Sequence, residues 1–204
     1  MLLIFMPPRA TRALLFVRIR CKIFFMDFLE LSKTRYSVRK FSDKVVEDEK
    51  LQKVLEAGRL APTAKNSQSQ RIFVLKSGEA IAKIRGATQM AFDAPVVLMI
   101  CYDEEQSYKN MADTAYTYYP GGHYDGGEVD AAIVTTAMMF QATELGLGTL
   151  WARGFDAAKV IEAFGLPKNL HLVCLLDIGY PAADSEPSPR HGDRKPLDET
   201  VKYL

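Results

Sequence analysis

The chain has 204 residues, 48% of them hydrophobic and 25% charged, enough for one well-buried globular core. Its net charge of +1 conceals an asymmetry. Five basic residues (Arg9, Arg12, Arg18, Arg20 and Lys22) and no acidic one stand in the first 26 positions, which leaves 21 basic against 25 acidic residues, a net of −4, beyond them. That body has no global positive field to collect nucleic acid, and no partner of that class is expected.

Residues 1–25 are apolar but too often interrupted by arginine to span a bilayer, and no small-residue cleavage site follows an apolar centre. Two readings remain: a basic amphipathic segment that lies on a membrane surface or targets an organelle, or sequence upstream of a natural start at Met26. The second is preferred, because the folded pattern M-D-F-L-E-L begins at once. Residues 26–204 then read as one domain, without repeat or linker, and no membrane partner is expected for it.

Leu51, Val54, Leu55 and Gly58 fall at helical spacing before Pro62, which predicts a helix over 48–60. The runs I-F-V-L-K (72–76) and P-V-V-L-M-I-C-Y (95–102) predict buried strands, with a short helix over 79–85 between them. A long helix is expected over 128–145, stopping at Gly146. It is apolar on most faces, so something must cover nearly all of it, and a partner subunit is the expected cover. A strand over 149–153 follows, then a helix capped by Asp156 and ended by Gly165, then a last strand over 171–179. The Pro-rich stretch beyond reads as too polar to pack on itself. Strands and helices mix without strict βαβ alternation, so the expected class is α+β.

Cys21, Cys101 and Cys174 form no metal-like or redox-like pair, and the last two sit in apolar runs where a thiol acts as a small hydrophobe. Such usage fits a reducing, cytoplasmic setting. His123, His171 and His191 have no ligand spacing, so no metal is expected.

Five local features could carry chemistry. In R-Y-S-V-R-K-F, Arg35 and Arg39 flank Ser37 by two residues each and would share one side of an extended segment, an arrangement suited to phosphate; a plain basic strand is the alternative. In L-A-P-T-A-K-N-S-Q, Asn66 and Gln68 carry amides able to read the edge of a heterocycle, unless this is an ordinary polar loop. In G-L-G-T-L-W-A-R-G-F-D, Gly154 could let a backbone N–H approach a planar ring, while Trp151 reads as core. Arg194 and Lys195 form a second cationic pair or a solvated turn. The tyrosine- and glycine-rich stretch 116–127 reads equally as an aromatic lid or a plain glycine loop. No Rossmann fingerprint, P-loop or nucleophile elbow occurs, which leaves hydrolase and NTPase readings without support.

In this order and spacing, R-Y-S-V-R-K-F, A-P-T-A-K-N-S-Q, the buried helix before G-L-G-T-L-W-A-R-G-F-D, D-I-G-Y-P and R-K-P-L-D-E resemble the nitroreductase family of flavoproteins over residues 26–204. The resemblance implies a mixed sheet flanked by helices in an intertwined homodimer, with FMN at the subunit interface and NADPH or NADH as co-substrate. Carried over, Arg35, Ser37 and Arg194 would hold the FMN phosphate, with Arg39 nearby and Tyr36 contributing its backbone. Asn66 would bond the isoalloxazine edge, Ser67 and Gln68 would line the same rim or come from the partner, and the Gly154 backbone would face N5. Flavin N5 takes the hydride, so no catalytic side chain is expected. The implied activity is ping-pong hydride transfer from NAD(P)H to a small nitroaromatic, quinone or related acceptor. Alternatives are a same-fold enzyme of flavin fragmentation or ring oxidation, or a non-catalytic flavin-binding sensor. Ser69 and Gln70 replace the family's usual proline and aromatic, and Arg153 is unusual before Gly154; it would favour an anionic acceptor or point away.

Overall fold

The computed structural model describes residues 27–109 and 126–204. Residues 1–25 and most of the tyrosine-rich stretch, with Cys21 and His123, therefore lie outside the described residues. Helix α1 spans Phe28–Thr34 and α2 spans Asp48–Arg59; β1 is Gln70–Leu75, α3 Gly78–Ala87, β2 Val96–Asp103, α4 Gly126–Glu144, β3 Gly148–Ala152, α5 Ala157–Phe164, β4 Leu170–Gly179 and α6 Leu197–Thr200. The four strands form one sheet in the order β1-β2-β4-β3, each neighbouring pair antiparallel. Long apolar runs took the centre, as their composition dictates: β2 is buried along its whole length and β4 nearly so. The fold is α+β, as expected.

The two faces of the sheet bury separate cores. Val97, Met99, Cys101 and Leu175 pack with Ile81, Ile84 and Val160 of α3 and α5. Leu98, Ile100, Leu176 and Ile178 pack with Leu51 and Val54 of α2 and with Ala131, Val134 and Met138 of α4. Both described cysteines are buried and unpaired. The Asp156 carboxylate accepts from the N–H groups of Ala158 and Lys159, and Gly165 ends α5 at φ 62°, so the expected caps are both present.

Helix α4 keeps an uncovered stripe. Val129 and Ile133 are 43% and 40% exposed, and Phe140, two turns on, is only half-buried. One chain thus leaves part of this apolar helix in water, which is the deficit its composition announces. No helix among the described residues is long and apolar enough to cross a membrane.

One expectation needs correction. Trp151 is 44% exposed, not core, because β3 is an edge strand and Trp151 is the one residue of the strand that no neighbouring element covers. The Pro-rich segment, expected to be too polar to pack on itself, is held against other chain segments. Ser188 caps a 3-10 turn over Pro189–His191, the His191 ring lies 2.9 Å from the carbonyl of Lys33, and the Tyr36 hydroxyl donates to Ser185. Local polarity predicted its solvation but not these tertiary hydrogen bonds.

Candidate functional site

Segment 35–41 runs across the ends of β3 and β4. Ser37 bridges Thr149 in parallel, and Phe41 bridges Pro181. This lie depends on two glycines paired across β3 and β4, Gly148 and Gly179. A Cβ on Gly148 would stand 2.6 Å from Val38, and one on Gly179 would stand 2.8 Å from Phe41 and 2.6 Å from Pro95. Only glycine lets the segment come so close, and Val38 and Phe41 are buried as a result. With Val38 turned into the core, its neighbours Ser37 and Arg39 face away from it.

They open into a cavity of about 410 Å³ lined by Arg35, Ser37, Arg39, Ser188, Arg190, His191 and Arg194. Arg35, Arg39 and Arg194 therefore meet, although more than 150 residues separate the first from the last. Among the described residues no carboxylate pairs with any of the four guanidiniums; Arg39 reaches the Ser37 carbonyl and Arg194 the carbonyls of Arg190 and Asp193. Such a donor set around one cavity fits a phosphate. Tyr36 turns elsewhere, its ring edge-on to His191 and its hydroxyl on Ser185. Lys195 pairs with Glu199 and does not line the cavity. Ser188, Arg190 and His191 escaped the sequence reading. Their signal was available, a second Arg and a His four and three residues before Arg194.

At the far end of β3, Arg153 and Gly154 form a tight turn closed by the Phe155 N–H on the Arg153 carbonyl, 2.9 Å. The Gly154 N–H makes no hydrogen bond among the described residues, and the nearest atom to its missing side chain is the Met90 sulfur at 3.7 Å. An open backbone donor is what a ring nitrogen or carbonyl could use. Arg153 forms an ion pair with Glu128 in the first turn of α4. At roughly 3.3 Å per residue, the five steps from Thr149 to Gly154 put this donor about 16 Å from the bridge at Ser37. An elongated ligand with its phosphate among the arginines would lie along this edge strand.

The third predicted group stands apart. Asn66, Ser67 and Gln68 lie just before β1, where Ser69 accepts from the Asp103 N–H at the end of β2; Ser37 sits level with Val96 at the start of β2. Those levels differ by six or seven strand residues, about 20 Å. None of the three lines the arginine cavity.

This loop is nonetheless built with care. Lys65, Asn66 and Gln68 have φ of 53°, 56° and 49°, a left-handed conformation costly for side-chain-bearing residues unless the surroundings enforce it. The enforcer is Asp130 of α4, 2% exposed, whose carboxylate accepts from the Ala64 N–H at 2.9 and 3.1 Å and from the Ser67 hydroxyl at 3.3 Å. Thr63 adds its hydroxyl as acceptor for the Gln68 N–H. Asn66 and Gln68 are left exposed, with their amides on a fixed frame. Asp130 was missed, although a lone acid inside an apolar helix is a legible anomaly.

One buried acid has no such employment. Asp177 on β4 is fully buried, and neither carboxyl oxygen has a partner among the described residues. Burial pushes its acid up to about 8, with Arg85 pulling weakly the other way. Arg85 is itself occupied by the carbonyls of Phe92 and Ala94. Burial also lifts the thiols of Cys101 and Cys174 to about 12 and about 11, so neither is a nucleophile at neutral pH.

Comparison with known proteins agrees on one family. The model of the nitroreductase family matches residues 33–93 and 85–180. The crystal structure of a nitroreductase family protein from Clostridium difficile is 39% identical, with a TM-score of 0.77, over 87% of this chain and 98% of that one. A protein of Archaeoglobus fulgidus named for NADH dehydrogenase and NAD(P)H nitroreductase activity is 28% identical over 78% of this chain and 88% of its own length. A Desulfovibrio desulfuricans protein crystallised in complex with FMN is 25% identical, with a TM-score of 0.71, over 88% and 97% of the two chains.

Proposed function

This chain belongs to the nitroreductase family, and from that premise we propose that it is an FMN-dependent oxidoreductase, drawing hydride from NADPH or NADH and delivering it to a small acceptor such as a nitroaromatic or quinone. The observation that carries the reading is the cavity in which Arg35, Ser37, Arg39 and Arg194 converge without a carboxylate to neutralise them. The A. fulgidus relative's name and the FMN bound to the D. desulfuricans protein support the same chemistry.

When bound, FMN would supply the hydride-accepting and hydride-donating centre. The chain's own residues bind and orient. Arg35, Ser37 and Arg194 would grip the phosphate by charge-assisted hydrogen bonds, with Arg39 beside them. The free Gly154 N–H would donate to the ring at its N5 edge, and the amides of Asn66 and Gln68 would read a heterocycle edge from their strained loop. No acid or base is needed from a side chain, and the buried thiols and Asp177 take no part. One binding face would serve donor and acceptor in turn, a ping-pong cycle.

A homodimer completes the proposal. The uncovered Val129 and Ile133 of α4 give a second copy an apolar seat. The 20 Å offset between the 66–68 loop and the arginine cavity also supports a site shared between two copies, with Ser67 and Gln68 facing the partner's flavin.

Purified protein should be yellow, and anaerobic NADPH or NADH should bleach the flavin rapidly, with re-oxidation on adding a quinone. A colourless protein that takes up no FMN would defeat the reading; a flavin that stays oxidised under both donors would reduce it to a binding protein. Light scattering should give twice the chain mass.

A further inference from the structure

The turn at Gly154 carries charges of its own, and both are already matched. Within two residues of Gly154 the chain places Arg153 and Asp156. Arg153 forms an ion pair with Glu128, and Asp156 faces Lys159 at 3.9 Å while capping α5. The segment that would meet the flavin at N5 therefore presents an open backbone donor with no net charge beside it.

The two pairs are not alike. Asp156 and Lys159 are three residues apart at one helix end, where local sequence brings them together. Arg153 and Glu128 come from different elements, the end of β3 and the first turn of α4, and only the tertiary structure joins them. Leu150 and Ala152 of β3 pack into the core with α3 and α5, so alternation turns Trp151 and then Arg153 to the opposite face, where α4 begins. Glu128 stands there in the first turn of a 19-residue helix, a place that favours a carboxylate. Both side chains stay open to water, 62% and 44% exposed, so the contact adds little stability. Its consequence is the removal of a charge. Arg153 directly precedes the Gly154 N–H, so an unpaired guanidinium would act within roughly one Debye length, about 10 Å, of the atom that exchanges hydride.

We propose that Glu128 is a specificity-determining residue for the acceptor: by holding Arg153 it keeps the approach to N5 free of net charge, so that uncharged aromatic acceptors are taken in preference to carboxylate- or sulfonate-bearing ones. The inference rests on the FMN reading above and narrows its acceptor class. An anion arriving at Gly154 meets Glu128 beside Arg153 and gains little from a guanidinium already taken, while it gives up hydration. A neutral quinone or nitroaromatic gives up far less.

The test uses oxidised, FMN-loaded protein and calorimetric titration with benzamide and benzoate, two rings of one shape that differ in charge. The parent should bind benzamide at least as tightly as benzoate. Glu128→Gln, which keeps the shape of the side chain, should tighten benzoate by about fivefold or more and leave benzamide unchanged. Arg153→Gln and the double variant should show no such gain. Rates should follow with NADPH or NADH in excess: Glu128→Gln should lower the preference for 4-nitrobenzamide over 4-nitrobenzoate in kcat/KM. Each turnover there passes two electrons and two protons to the nitro group and yields the nitroso compound and water. A parent that binds benzoate the tighter would overturn the proposal. So would a Glu128→Gln protein whose benzoate affinity is unchanged or rises equally with that for benzamide, or a double variant that keeps the gain. Protein that takes up no FMN would break the flavin reading and this inference with it, and its colourless spectrum before titration separates that failure from the others.

Discussion

Of the three aspartates buried among the described residues, Asp130 and Asp177 stand at opposite stations and have opposite fates. Asp130, near the start of α4, accepts hydrogen bonds from Ala64 and Ser67 and thereby holds three residues in left-handed backbone. Asp177, in the middle of β4, has no partner at either oxygen and is pushed up to about 8. Burying a carboxyl group costs free energy in both places. Around Asp130 that cost is offset by donors that also shape a loop of the site; around Asp177 no hydrogen-bond donor among the described residues offsets it, and only Arg85 opposes it from outside hydrogen-bond reach. A buried charge is thus informative about function only when its partners are known.

The largest expected effect tests the orphan. Asp177 has its folded pKa raised above the unfolded value of 3.8, so the folded state holds the proton more tightly. Stability should fall as pH rises from about 4 to about 8 and then level, with a loss whose upper limit is on the order of 5 kcal/mol. Asp177→Asn should abolish most of that slope: thermal melts of parent and variant should agree near pH 4 and diverge in the variant's favour by pH 9. Parallel melting curves across this range would mean that Asp177 finds a partner in solution.

Removing the employed acid should act the other way. Asp130→Ala strands the Ala64 N–H and the Ser67 hydroxyl, at a cost of about 3 kcal/mol for hydrogen bonds to a charged acceptor. Urea unfolding should show that loss, and hydrogen exchange should show the Ala64 amide unprotected. An unchanged midpoint would make the strained loop self-supporting.

The arginine cavity extends the contrast to charges that are unpaired but open to water, where waiting for a ligand costs little. Arg35→Ala and Arg194→Ala should each weaken FMN binding by roughly 1.5–3 kcal/mol, about ten- to a hundredfold in dissociation constant, with little change in melting temperature of the apoprotein. Full flavin retention by both variants through gel filtration would misplace the phosphate. The smallest effect belongs to the exposed Arg153–Glu128 pair. Arg153→Gln should change stability by less than about 1 kcal/mol, and a larger loss would show that the pair braces the Gly154 turn.

Much of this molecule was legible in one dimension. Continuous apolar runs gave the two central strands, helical spacing gave α2, a long stretch apolar on most faces and stopped at Gly146 gave α4, and Asp156 and Gly165 bounded α5, because these depend on local propensity and burial pattern. Arg35, Ser37, Arg39 and Arg194 were recognisable by residue type. Helix α1 went unread, since seven residues with one buried position, Leu31, make too short a pattern. The exposure of Trp151 went unread too, because strand composition does not say which strand lies at an edge.

The amino-acid order by itself determined the class of fold, the main elements and the kinds of side chain available for binding, since those follow from short-range periodicity and from chemistry carried by each residue. Only the tertiary structure decided which of them meet. It brought Arg190 and His191 to Arg35 through a glycine-permitted crossing and hydrogen bonds to Lys33 and Tyr36, set Asp130 beneath a loop 66 residues away, and left Asn66 about the length of β2 from the arginines. Such meetings depend on packing between distant segments, and no local pattern encodes them.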